Sequence, residues 1–220
     1  MSENPPLRKV ELLEKNVPRQ ARAIKTYEAI LEAAAALLIE VGVERISTNL
    51  IAERAGVTVP ALYRYFPNKY SVLNELGSRM MDRQNAVLEE WQSRFPGEDS
   101  LEAMIEGLPE VFRLTYELTR DTPAGLQVLN ALRAVEPLRQ VRLESNRAVS
   151  ELFGRLWAEL MGWPYNREVY HQARFAVEQG YAAVELALED ETVDPGRVLE
   201  EAGWAIQLYL RQSRAAGPPA

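Results

Sequence analysis

Apolar residues recur at intervals of three and four along most of this chain, and no stretch of useful length alternates as a strand would. Tyr27, Ile30, Leu31, Ala34, Leu37, Leu38 and Val41 mark one face of a long amphipathic helix, which Gly42 closes. From Ile46 to Lys69 the pattern shortens into two small helices. Ser47 and Thr48 can cap the first, which is expected to bury Leu50, Ile51 and Ala55. Gly56 ends it, since glycine enters the left-handed backbone region at little steric cost. Thr58 can cap the second, and Pro60 falls in its first turn, where a missing N–H removes no internal bond. Leu62 and Phe66 turn inward, leaving Val59, Ala61, Tyr63 and Arg64 to face elsewhere. Two short helices about a glycine turn predict a helix-turn-helix, the unit that sets its second helix into the DNA major groove.

Beyond Lys69 a long helix is expected from Tyr70 to Phe95, carrying Val72, Leu73, Leu76, Met80, Val87, Leu88 and Trp91 and stopping at Pro96-Gly97. Gly77 within it marks either a weak point or a place of close packing. Asp99 can cap a helix faced by Leu101, Met104, Ile105, Leu108, Val111, Phe112 and Thr115, with Pro109 bending its interior. Thr122-Pro123 starts a short helix to about Val135, and Glu136-Pro137 opens another that ends before Gly162-Trp163-Pro164. Asn166 caps a helix to about Leu188, and Asp194-Pro195 opens the last, to about Arg214. The expectation is an all-α chain of about nine helices. Its parts are a flexible leader (1–18), a helix-turn-helix domain (19–69), a helical body (70–214) and a disordered tail (215–220).

Composition changes this picture in two places. The 220 residues include no cysteine, which leaves no disulfide framework or thiolate metal site and makes an intracellular, cytoplasmic protein the expectation. No apolar run approaches a membrane span, and the first residues lack the apolar core of a signal peptide, so no membrane partner is expected. The net charge of −7 argues against nucleic acid until its distribution is examined. Residues 1–83 hold 12 Lys and Arg against 10 Asp and Glu, whereas 84–220 hold 13 against 22, and all four lysines lie in the first part. The acidity belongs to the body, and the helix-turn-helix region is mildly basic.

The run IAERAGVTVPALYRYFPNK resembles the DNA-binding motif of the TetR (tetracycline-repressor) family of bacterial regulators. The points of match are Ile51-Ala52, Ala55-Gly56-Val57, Leu62-Tyr63, Tyr65-Phe66 and Asn68-Lys69, and the likeness extends over residues 19 to 75. It implies an N-terminal three-helix DNA-binding domain followed by a helical ligand-binding and dimerisation domain. It further implies that Thr48, Tyr63 and Lys69 contact phosphates and that Asn49, Thr58, Val59, Pro60, Ala61 and Arg64 face the groove. Arg64 alone among these can make a bidentate contact to guanine. Ala61 stands where many members have a small polar residue, and Pro60 where glycine is common. Arg19, Arg22 and Lys25 share a helical spacing; they are either an arm contacting phosphates or the minor groove, as the resemblance suggests, or a solvated charge cluster.

The last two helices are apolar over more of their circumference than one buried face needs. Val177, Tyr181 and Val184 on one, with Ala202, Ala205, Ile206 and Tyr209 on the other, are expected to form a homodimer seam; the resemblance implies a four-helix bundle there. The alternative is complete burial within a monomer. Trp91, Met104, Phe112, Tyr116, Phe153, Trp157 and Tyr170 come from several body helices and either fill a core or line a pocket for a small apolar or aromatic effector, with His171, Tyr116 or Arg113 supplying polar contacts.

Glu168 and His171 form the Glu-x-x-His spacing of helical di-metal proteins, but such a site needs the pattern twice and the chain has a single histidine. No phosphate loop, H-E-x-x-H or G-x-S-x-G occurs. No catalytic residue, metal or cofactor is therefore expected. The resulting expectation is a ligand-responsive regulator that represses from a palindromic, inverted-repeat operator in double-stranded DNA. A helical interaction module without DNA binding, or a helical metal-carboxylate enzyme, are the alternatives.

Overall fold

The structure, a computed structural model, describes residues 12, 16, 18–95 and 100–218. Ten α-helices and one 3₁₀ turn, with no strand, occupy these residues, one helix more than the sequence pattern suggested. They fall into two compact units: one of residues 1–79 with 127–141, the other of residues 80–126 with 142–220.

The first unit begins with α1 (Ala21–Arg45), whose backbone leaves the helix at Gly42 (φ 73°, ψ 169°), a conformation that glycine adopts at little cost. α2 (Thr48–Arg54) is capped by the Ser47 hydroxyl, which accepts from the Leu50 amide at 3.3 Å. α3 (Val59–Tyr63) is capped in the same way by Thr58, which accepts from the Ala61 amide, also at 3.3 Å. Between them Gly56 takes φ 65°. Side-chain caps of this kind contribute about 1 kcal/mol each, enough to define helices too short to stand alone. Ile51, Ala52, Leu62 and Phe66 are buried to 1 % exposure or less, but Leu50 is 37 % exposed, against expectation. The helix is only seven residues long, and the face that meets α1 is met by Ile51 and Ala52 one and two positions on. Phe66 stacks on Tyr27 of α1 at 4.9 Å, and Tyr65 meets the same ring edge-on at 5.8 Å.

α4 (Lys69–Gln92) opens with a reciprocal cap: the Ser71 amide donates to Asn68 Oδ1 at 3.0 Å, and the Asn68 amide donates to Ser71 Oγ at 3.3 Å. A Cβ at Gly77 would sit 2.6 Å from Leu132 of α7 (Gly125–Ala134), so this glycine serves close packing.

In the second unit α5 (Leu101–Glu106) and α6 (Leu108–Asp121) are separate helices, where one bent helix had been expected. Gly107 divides them, and Pro109 lies in the first turn of α6 rather than in a helix interior, so its missing N–H leaves no bond unmade. The expected stop at Pro96-Gly97 and cap at Asp99 lie outside the described residues. The 3₁₀ turn Glu136–Leu138 leads into α8 (Arg139–Met161). α9 (Arg167–Glu189) is capped by Asn166, which accepts from two amides at 3.0 Å, and α10 (Pro195–Ala216) by Asp194, which accepts from Arg197 at 2.7 Å. Trp91, Met104, Ile105, Trp157 and Leu210 are fully buried in the core that α4, α5, α8 and α10 share.

Candidate nucleic-acid interface and ligand cavity

With Leu62, Tyr65 and Phe66 held in the core, α3 turns its other side outward. Asn49, Thr58, Pro60, Tyr63 and Arg64 are exposed, and Thr48, Val59 and Ala61 are half-buried beside them. Thr48 Oγ1 and the Tyr63 hydroxyl lie 3.1 Å apart, which joins the start of α2 to the end of α3. The Arg64 guanidinium enters no ion pair with a described residue, whereas its backbone carbonyl accepts from Asn16 Nδ2 at 2.8 Å. Arg22 and Lys25 are exposed on the first turns of α1; Arg19 is exposed just before the helix begins. Lys69 differs from the rest. Its Nζ donates to the carbonyls of Ile46 (3.0 Å), Val43 (3.2 Å) and Glu44 (3.4 Å), so all three ammonium protons are engaged at the C-terminal end of α1, where a cation also meets the negative end of the helix dipole.

Away from this face two arginines brace the unit through ion pairs. Arg54 of α2 pairs with Glu40 of α1. Arg79 of α4 pairs with Glu28 of α1 at 2.7 Å and with Glu75 at 2.7 Å, and lies over the Tyr27 ring. The Arg79 bond holds the Glu28 carboxyl below its ordinary pKa.

The second unit encloses a cavity of about 60 Å³ among α4, α6, α8, α9 and α10. Of the residues expected at a pocket, Trp91, Phe112 and Phe153 line this cavity; Met104 and Trp157 lie in the core, and Tyr116, Tyr170 and His171 are not among its lining residues. The other walls are Leu88, Leu108, Val111, Val149, Ala176, Val177, Gly180, Val184 and Ile206, with three residues that carry polar side-chain atoms, Gln84, Thr115 and Tyr181. None of the described lining residues carries a formal charge. Gln84 stands outside any aromatic pattern, but the sequence carries a signal for it: it is the polar member of the otherwise apolar series Met80, Gln84, Leu88, Trp91. Phe112 lies against Gly180, where an added Cβ would come within 2.6 Å of its ring. Burial pushes the Tyr181 phenol up to about 12, with Glu178 adding to the rise, so it stays protonated at neutral pH. His171 is exposed, 3.6 Å from Glu168, and among the described residues no group of three or more His, Asp or Glu is arranged to hold a metal.

The seven residues expected at a dimer seam divide between two environments. Val177, Tyr181, Val184 and Ile206 line the cavity, and Ile206 also borders the groove between α9 and α10. Ala202, Ala205 and Tyr209 instead line an open groove of about 760 Å³ between α9 and α10, along with Phe175, Ala182 and Leu186. Around it Phe175, Leu186, Trp204 and Leu208 are 53, 44, 56 and 70 % exposed. No described helix is long and apolar enough to cross a membrane.

Residues 30–76 match the family model described as bacterial regulatory proteins, tetR family. The chain is 34 % identical over 89 residues to the A-factor receptor protein of Streptomyces griseus, an alignment covering 40 % of this chain and 29 % of that one. It is 44 % identical over 54 residues to the class C tetracycline repressor protein of Escherichia coli, covering 24 % of this chain and 25 % of the other. These alignments thus span less than a third of either relative. Over its length the fold is similar to SmeT, the repressor of the Stenotrophomonas maltophilia multidrug efflux pump SmeDEF, with a TM-score of 0.66, 20 % identity, and coverage of 84 % of this chain and 91 % of that one. The capped helix pair about Gly56 and the outward side of α3 fall within residues 30–76, the segment of this chain that matches the model of the tetR family of bacterial regulatory proteins.

Proposed function

We propose that this protein is a ligand-responsive, dimeric DNA-binding transcriptional repressor without enzymatic activity. The observation that carries the reading is the outward side of α3: a short helix capped by Thr58 and held by Leu62 and Phe66, presenting Thr58, Pro60, Tyr63 and Arg64 to solvent. Arg64 is the candidate for base reading, since its guanidinium can bond guanine O6 and N7 together. Arg19, Arg22, Thr48 and Tyr63 are the candidates for phosphate contact. Lys69 is proposed to act on phosphate only by giving up carbonyls of α1, and otherwise to fix the position of the helices that do. The Phe175, Leu186, Trp204 and Leu208 face is proposed to meet a second copy, because an apolar face of this extent favours burial. Charges placed at Ala205 and Leu208 are then expected to yield single chains in solution.

Control by a ligand requires an effector that favours a conformation in which DNA binds less well, so that each weakens the other by the same factor. The cavity beside Phe112 and Phe153 is the proposed effector site. α4, whose residues are divided between the two units, is the proposed carrier of the change.

The test is selection of random DNA duplexes by the purified protein. An inverted repeat is expected, with half-site centres about one turn (~34–36 Å) or a multiple of it apart. Arg64→Ala is expected to lose about 1–3 kcal/mol and to relax specificity at one base position per half-site. If it weakened every sequence equally, Arg64 would be a phosphate contact and the base-reading role would be wrong.

A further inference from the structure

The cavity in the second unit contains a hydrogen-bonding group whose polarity the structure determines. Thr119 Oγ1 donates its single proton to the Thr115 carbonyl at 2.7 Å, so the bond it shares with Gln84 at 2.8 Å must be donated by Gln84 Nε2. That fixes which way the amide faces. Thr115 likewise spends its proton on the Val111 carbonyl at 2.8 Å. Gln84 is 2 % exposed, and its Oε1 accepts a hydrogen bond from no described residue. Seven residues further along α4, about 10 Å along the axis and past the apolar Leu88, the fully buried Trp91 has an Nε1–H with no described acceptor. Both residues line the cavity. A buried polar group left unpaired is costly, and a molecule that supplies the missing partners recovers that cost.

We infer that the cavity takes a neutral, largely apolar molecule carrying a hydroxyl or N–H donor, which bonds Gln84 Oε1, and an acceptor at its far end for Trp91 Nε1–H. A charged ligand is disfavoured, since no described lining residue would pair with it and burial of an unpaired charge is costly. At about 60 Å³ the cavity is smaller than most ligand pockets, which run to several hundred Å³. Binding therefore displaces a wall, and the Phe112 ring against Gly180 is the one whose apolar contact can be remade. The inference names the effector class and rests on the ligand-responsive reading above.

The experiment is calorimetric titration of the full chain with 6-methoxy-2-naphthol, which has a donor at one end and an acceptor at the other, and with 2,6-dimethoxynaphthalene, which has no donor. Wild-type protein is expected to prefer the naphthol by roughly tenfold, the equivalent of one hydrogen bond of about 1.4 kcal/mol. Gln84→Leu is expected to remove that preference by weakening the naphthol alone, whereas Trp91→Phe weakens both compounds alike. Thermal melts establish that each variant is folded, with Gln84→Met as the substitute if the leucine variant is not. Equal affinity for the two compounds, no binding of either, or a preference that survives at position 84 would each overturn the inference and leave Gln84 to water. DNA selection by wild-type protein is measured apart from the compounds, so failure here leaves the regulator reading standing, and failure there leaves this one.

Discussion

In the first unit the groups that define the helix-turn-helix each have a partner: Ser47 and Thr58 cap their helices, Asn68 and Ser71 cap α4 reciprocally, and Lys69 closes the end of α1. In the second, Gln84 Oε1, Trp91 Nε1, Trp157 Nε1 and Gln172 Oε1, with one nitrogen each of Arg142 and Arg174, are buried and accept or donate to no described residue. No such atom occurs among the described residues of the first unit. The contrast separates two uses of a helical core. A surface that must present side chains in a fixed register is best served by complete satisfaction of the backbone beneath it. A body that must respond to a small molecule benefits from polar groups whose pairing is incomplete until that molecule arrives.

The largest expected effect breaks the first half of this contrast. Phe66→Ala removes a ring with 0 % exposure stacked on Tyr27 and is expected to destabilise the helix-turn-helix by about 3–5 kcal/mol, abolishing DNA binding at temperatures where the second unit remains folded. Urea unfolding followed by backbone amide signals from both units checks it. Gly180→Ala acts on the second half: a methyl 2.6 Å from the Phe112 ring overpacks the cavity wall, at a cost of about 1–3 kcal/mol, and reduces affinity for any compound bound there. Calorimetry and a thermal melt on the same sample measure both.

The expected helix boundaries hold at five local signals, whereas the helix expected to start at Thr122-Pro123 begins at Gly125. Ser47, Gly56, Thr58, Asn166 and Asp194 cap or break helices with their own side chain or φ angle, and a cap needs no knowledge of the rest of the chain. Pro109 shows the limit: a proline in an apolar periodic run fits a bend or the first turn of a new helix, and only the break at Gly107 decides between them. Leu50 shows another, since in a seven-residue helix an apolar residue one position off the contact face is indistinguishable by periodicity. The cavity was the least legible part. Its walls come from five helices, so an aromatic such as Trp157 that fills the core and one such as Phe153 that borders space have the same sequence signature.

A paired substitution sharpens the comparison at intermediate size. Thr58→Ala deletes a satisfied cap and is expected to cost about 1 kcal/mol, whereas Gln84→Leu deletes an amide with an unpaired oxygen and is expected to leave stability unchanged or raise it. Denaturation midpoints of the two variants against wild type test the pair; a Gln84→Leu protein destabilised as much as Thr58→Ala would mean that the second unit is as fully satisfied as the first. The smallest effect lies in acid. Arg79 lowers the Glu28 pKa in the folded chain, so the pair's contribution is complete above the ordinary glutamate value of 4.5 and disappears as pH falls through the lowered one. Both side chains are about two-fifths exposed, which limits the contribution to less than about 1 kcal/mol. Glu28→Gln is expected to flatten the stability profile below pH 4.5 and to do little to its slope from 5 to 8, read from melting temperatures across that range.

The hydroxyl pair that joins Thr48 to Tyr63 has a consequence for how contacts are counted. Each hydroxyl owns one proton, and one of the two is consumed between them whichever residue donates it. The pair therefore offers a single proton to an incoming phosphate, and the two residues behave as one donor. Thr48→Val or Tyr63→Phe each leaves one hydroxyl with its proton free, so the single variants should weaken DNA binding little and the double variant by more than the two single losses added together.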